Sequence, residues 1–336
     1  MALDVKVKID LTQPIGELGF GIPLILAENT TSDIDYVKCT NLTEVITAGY
    51  AATSKTYKAA NLIFMQENPP AEIAVCSTKG TASEWLGEVE NTGKEWRQLM
   101  VVNEGETPTE IVTIMAAVET MDNKLYFASL AVDDSTTLTT ADMERTVLFY
   151  CTSTEDMQGV EVAAFIGATA GKEVGSITYK NQILKGITPQ NLSDSQITAI
   201  HNKGGITFVT KAGDNVTTEG KVAGGEYIDI IDSEDYIIQQ LEYKTQKALN
   251  NSDKIPYTDT GIAMLESIAV DVLQDAYNNG MIATGEDGSP AYTVRYALRE
   301  NSTETDRAAR KYVGGQFSFT LSGAVHSVEI VGEVMI

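Results

Sequence analysis

Apolar and charged residues alternate from the first residues of the chain. Leu3, Val5, Val7 and Ile9 share one face and Asp4, Lys6 and Lys8 the other, which is the period of a strand. Pro14 and Gly16 follow, so this strand can stand off the body as an arm that pairs with another sheet edge. The run GFGIPLIL, 19–26, reads as a second strand, apolar on both faces. From residue 43 helical and strand patterns take turns. Thr43 caps a short helix. Residues 54–66 place Tyr57, Ala60, Ile63 and Phe64 on a helical face that Pro69-Pro70 ends. A strand at 72–76, a helix at 81–96, a strand at 97–102 and a helix at 108–122 opened by Pro108 follow. Then come a strand at 125–132, a short helical candidate at 139–145, a strand at 146–151 and a helix at 155–171. Strands alternating with helices of about 10–15 residues predict βαβ units and a mainly parallel sheet.

The pattern changes after Gly186. A helix at 193–204 is capped by Ser193 or Asp194 and stopped by Gly204. Two β-rich runs, 205–210 and 215–223, are joined by KAGD, in which Gly213-Asp214 signals a hairpin. The two longest helices span 228–250 and 259–279. In the second, Ile262, Leu265, Ile268, Ala269, Val272, Leu273 and Ala276 make one apolar stripe, and Gly280 ends it. The tail returns to strands at 291–298, 315–321 and 325–336. The expected fold is therefore α/β plus α+β. An N-terminal strand segment lies in 1–20; an alternating βα domain occupies 21–188; an α+β domain occupies 189–336 and closes on a strand at 326–336.

Charge narrows the partners. With 24 Lys and Arg against 47 Asp and Glu, the net charge of the 336-residue chain is −23. Such a surface repels phosphate backbones and anionic lipid headgroups, so neither nucleic acid nor direct membrane insertion is expected. No apolar run reaches the length of about 18 residues that a spanning helix needs, and the start has no secretory pattern. Cys39, Cys76 and Cys151 are too widely and irregularly spaced for a disulfide framework and read as small buried hydrophobes.

Candidate chemistry is sparse. GATAGKE, 167–173, resembles a phosphate-binding loop but has three residues between its glycines where four are needed, and Glu173 stands where Ser or Thr would hold Mg²⁺. There is no G-x-S-x-G elbow. His201 and His326 have no Cys, Glu or second His at zinc-ligand spacing. The acids of 226–237, Glu226, Asp229, Asp232, Glu234 and Asp235, read as the solvated face of a helix start favoured by its dipole. No catalytic or metal residues and no cofactor are assigned. The one unusual concentration is basic: Arg295, Arg299, Arg307, Arg310 and Lys311 within 289–311. They can neutralise an acidic patch on an identical copy or form ordinary ion pairs within the chain.

Four stretches, KVKIDLTQPIGELGFGIPLIL (6–26), ITPQNLSDSQITAIHNKGGITF (187–208), DKIPYTDTGIAMLESIAVDVLQDAYNNGMIA (253–283) and GGQFSFTLSGAVHSVEIVGEVMI (314–336), resemble in order the sheath proteins of contractile bacteriophage tails and of phage-tail-like bacteriocins. The resemblance implies a non-enzymatic subunit that stacks with its copies as rings around an inner tail tube. The resulting helical array shortens and drives the tube through a bacterial envelope. It implies a tube protein, a baseplate and a terminator as partners, assembly in the bacterial host cytoplasm, and a place in a virion tail or tail-like particle. It further implies that the N-terminal arm, 1–20, joins the 189–336 domain as part of one core, and that terminal arms, about Ala2 to Leu11 and His326 to Ile336, add strands to neighbouring sheets. Their apolar positions would be Leu3, Val5, Val7, Ile9, Val328, Ile330, Val331 and Val334. The chain is short for a sheath, which implies that outer decoration domains are reduced or missing. The alternative is an α/β enzyme or ligand-binding protein with a site at strand ends near Cys76 or Cys151.

Overall fold

The computed structural model describes residues 21–28, 30–89, 94–103, 111–121, 123–133 and 138–328. The expected strand at 3–9 and all but the first residues of the one at 325–336 lie outside them. Strands β1 (Leu24–Glu28), β2 (Ile34–Cys39), β3 (Ile73–Ser77), β4 (Gln98–Asn103), β5 (Leu125–Leu130), β6 (Thr146–Tyr150), β7 (Gly205–Lys211) and β8 (Asp214–Thr217) form one sheet. Their spatial order is β2-β3-β1-β4-β5-β6-β7-β8. The six inner strands are parallel, and β2 and β8 close the two edges antiparallel.

The inner strands are continuous apolar runs because both faces of a parallel sheet are covered by helices. Alternate residues of each strand serve opposite layers. On one face Ile25, Val75, Met100, Phe127, Val147 and Phe149 pack against α2 (Lys55–Phe64) and α5 (Val162–Thr169), with α1 (Leu42–Thr47) beside them. On the other, Leu24, Cys76, Leu99, Tyr126, Leu148 and Tyr150 pack against α3 (Ala82–Val89), α4 (Ile111–Glu119) and α6 (Asp194–Asn202). The phosphate-loop look-alike is a packing device. Gly167 lies so close to α2 that a Cβ there would sit 2.6 Å from Ile63 Cα.

Several local expectations change for identifiable reasons. The cap of α1 is Asn41, whose side chain accepts from Glu44 N–H at 3.1 Å, and not Thr43. Residues 139–145 form turns instead of a helix. The Glu119 carboxylate accepts the backbone N–H groups of Glu144 and Arg145 at 2.9 and 2.8 Å, taking donors a helix would have used. The run 155–171 breaks at Gly159 (φ +86°) into a 3-10 turn and α5, and α3 stops at Val89. The β7–β8 turn is Ala212-Gly213, both at positive φ as a two-residue hairpin requires, and Asp214 already belongs to β8. The sheet runs past residue 188, since β7 pairs in parallel with β6.

After the sheet the chain becomes helical. α7 (Ile228–Asn251) and α8 (Asp259–Asn278) pack through Ile237 and Leu241 against Ala269, Val272, Leu273 and Ala276. Thr258 caps α8, and Gly280 (φ +81°) follows its end. A separate hairpin-like pair, β9 (Tyr292–Tyr296) and β10 (Gly315–Phe319), lies on α8, with the five-residue α9 (Glu304–Ala308) in the excursion between them.

Candidate functional site

The β9–β10 pair is antiparallel, with Val294 opposite Phe317 and Tyr292 opposite Phe319. Period-two alternation gives it two unlike faces. Tyr292, Val294, Tyr296 and Phe319 pack on the α7–α8 core, with Phe317 stacked on Phe319 at 6.2 Å. Thr293, Arg295, Gln316 and Ser318 are exposed on the other face. Among the described residues, neither outer edge over these five-residue strands pairs with a further strand. A two-stranded sheet is marginal by itself, and an open edge is a row of unused N–H and C=O groups.

Between the strands the chain makes an excursion that tyrosines clamp shut. Tyr312 donates to Ala297 O at 2.9 Å, stacks on Tyr296 at 5.8 Å and meets Tyr257 edge-on at 6.1 Å. Tyr257 donates to Lys311 O at 3.2 Å, and burial pushes the Tyr312 hydroxyl up to about 12. The excursion carries most of the basic cluster. Arg295, Arg299, Arg310 and Lys311 are exposed, while Arg307 turns inward and donates to the carbonyls of Arg299 and Ser302. Among the described residues none of the five has an ion-pair partner, so the structure shows no intramolecular pairing there. Asp259 accepts the Arg299 backbone N–H at 2.8 Å.

The acidic stretch is corrected in part. Glu226 and Glu234 are exposed as expected and Asp229 is half-buried, but Asp232 and Asp235 are buried, not solvated. Arg97, with a side chain 2% exposed, bonds Asp232 and, at 2.5 Å, Asp235; Arg145 grips Asp235 with both guanidinium nitrogens; Tyr179 donates to Asp232. Burial alone would raise the Asp235 carboxyl, but the two guanidiniums outweigh it and hold that group below the usual carboxylate range. Lys124 sits beside them, donating to Trp96 O, and burial next to Arg97 pushes its ammonium down to about 8. Arg97, Lys124 and Arg145 each stand one residue ahead of β4, β5 and β6, which are adjacent in the sheet. They make a row of cations on which the first turns of α7 dock. The signal in the sequence was their position: a lone base before each of three apolar runs, and Asp232 and Asp235 four and seven residues after Ile228, on its buried stripe.

The expected arm positions Leu3, Val5, Val7, Ile9, Ile330, Val331 and Val334 lie outside the described residues. Val328 lies in irregular chain after β10 and is 75% exposed. His201 bonds Thr218 Oγ1 at 2.9 Å, and His326 bonds Thr178 Oγ1 at 2.7 Å. At the strand ends named for the enzyme alternative, the Cys76 and Cys151 thiols are buried and pushed up to about 12 by burial. Such thiols are poor nucleophiles.

Residues 228–334, from the start of α7, match the family model of the E217 tail sheath protein gp31-like C-terminal domain. No curated protein matches the sequence. The whole chain is similar in fold to a chain of the anti-feeding prophage baseplate, with TM-score 0.74 and 11% identity over 99% of both chains. It is similar to the contracted helical sheath of the anti-feeding prophage at TM-score 0.71 and 13% identity, over 98% of this chain and 99% of that one. The contracted PVC sheath complex, from an extracellular contractile injection system, gives TM-score 0.71 and 11% identity over 98% and 97%. The sheath resemblance read from the sequence is thus met by a family match over the C-terminal third and by a common fold over nearly the whole chain.

Proposed function

We propose that the chain is the structural subunit of a contractile tail sheath, polymerising as stacked rings into a helical array around an inner tube that its contraction drives through a bacterial envelope. The observation that carries this is the coincidence of a whole-length sheath fold with a sheath-specific match from α7 onward. A tube protein, a baseplate and a terminator are the partners, and assembly takes place in the bacterial host cytoplasm to give a virion tail or tail-like particle.

Subunits join through their termini in this reading. The β9–β10 pair supports it: among the described residues its outer edges pair with no further strand, and α8 packs behind it as an apolar backing. Leu3, Val5, Val7 and Ile9, and Val328, Ile330 and Val334, keep the period of two of strands that could fill those edges, with Val331 beside Ile330 on the opposite face. Strand addition of this head-to-tail kind need not close, and so generates a helix of subunits. Arg295, Arg299, Arg310 and Lys311 then face acids of a neighbouring copy, and their exposure, with no ion-pair partner among the described residues, supports that role.

Negative-stain electron microscopy of the concentrated protein, beside a variant lacking residues 2–9, tests both parts. Striated tubes or stacked rings from the full chain and dispersed folded particles from the variant are expected. Unchanged assembly of the variant removes the arm model. A full chain that stays dispersed when co-expressed with tube and baseplate proteins from neighbouring genes overturns the sheath reading.

A further inference from the structure

The last described stretch of chain stands off the body. Ser322 is tied by its N–H to Met281 O at 2.9 Å and by its hydroxyl to Gly280 O. After Gly323 (φ +58°) the only hydrogen bond or ring contact among the described residues is made by His326. A cleft of about 180 Å³ separates residues 321–324 from Ser176–Thr178, Asp229 and Ser233, so this stretch is not packed down along its length. Its neighbours on either side of His326 point outward, with Val325 81% and Val328 75% exposed.

His326 itself is held from two sides. Its Nε2 lies 2.7 Å from Thr178 Oγ1, on the connection that leads from α5 to α6. Its ring stands edge-on to Tyr227 at 4.8 Å, and Tyr227 is the cap residue of α7. Both contacts fall beside the buried ion cluster, since Tyr179 follows Thr178 and donates to Asp232. One polar aromatic side chain therefore fixes an otherwise loose segment to the most rigidly bonded part of the molecule.

We propose that His326 is a latch, a positioning residue that sets the point and direction at which the C-terminal end leaves its own body to reach a neighbouring copy. The proposal rests on the arm reading above and assigns its geometry to one residue. A tethered strand held in its departing direction has less freedom to lose on pairing, which favours assembly without adding any contact to the neighbour. The exposed valines on each side of the latch are apolar surface left for that neighbour to cover.

The test reads the latch directly in the full chain before assembly. Ser327 is exposed and the three native thiols are buried, so S327C takes a nitroxide label selectively. The electron paramagnetic resonance spectrum should show an immobilised component that is lost in H326A and in T178V. It should return in H326Q, whose terminal amide sits where Nε2 sits and can bond Thr178. Polymer yield, measured by sedimentation, should fall in H326A and recover in H326Q. An equally immobile label in H326A, or equal yields from H326A and the parent chain, overturns the latch. Deleting residues 329–336 separates the two ideas: unchanged assembly of that deletion removes the arm reading, whereas its loss of assembly beside a fully competent H326A removes the latch alone.

Discussion

Replacing Arg97 with Met should destabilise the chain severely while keeping most of the side chain's bulk. Arg97 is 2% exposed and faces two carboxylates whose side chains are 8% and 5% exposed. Asp235 keeps Arg145, but among the described residues Asp232 keeps only the Tyr179 hydroxyl. Breaking a buried pair by removing one partner costs about 3–5 kcal/mol, because the stranded charge is left in a poor solvent. R97M should lose that amount, read from urea unfolding followed by circular dichroism. R97M/D232N should recover most of it, since the side-chain amide introduced by D232N carries no charge and still accepts from Tyr179. An R97M deficit below about 1 kcal/mol, the scale of an exposed pair, would refute the reasoning.

Other groups give independent checks. Lys124, pushed down to about 8 from 10.5, sheds its proton in the folded chain before the unfolded one does; stability should rise with pH between those values, and K124M should abolish the rise in urea midpoints. Cys39, Cys76 and Cys151 should resist iodoacetamide in the native protein at pH 8 and all react after unfolding; prompt native labelling of Cys76 or Cys151 would contradict their burial. The triple charge reversal R295E/R299E/R310E should leave a folded subunit with reduced polymer yield and a flatter response to salt, by sedimentation; unchanged yield and salt response would remove the patch from the contact.

Regular, strongly patterned segments were legible. The inner strands are runs such as LYFASL and TVLFY, buried at every residue and mostly apolar because both faces are covered, and α8 shows its stripe because only one face is. What failed was local and polar. Residues 139–145 have helical composition, yet the carboxylate that takes their N–H groups comes from Glu119 on α4, across the fold. Asp232 and Asp235 look like solvated helix-start acids until Arg97 and Arg145 are brought to them over 135 and 90 residues of chain. The basic excursion was visible as composition, but the inward turn of Arg307 was not, because it depends on backbone carbonyls that carry no sequence signature.

The close approach at Gly21 has a mechanical consequence. Gly21 has φ +88°, and a Cβ there would lie 2.2 Å from Arg97 Cβ, so the chain entering β1 crosses directly over the residue that holds α7. Tension applied to the chain ahead of Gly21 and tension applied through α7 therefore meet at one rivet.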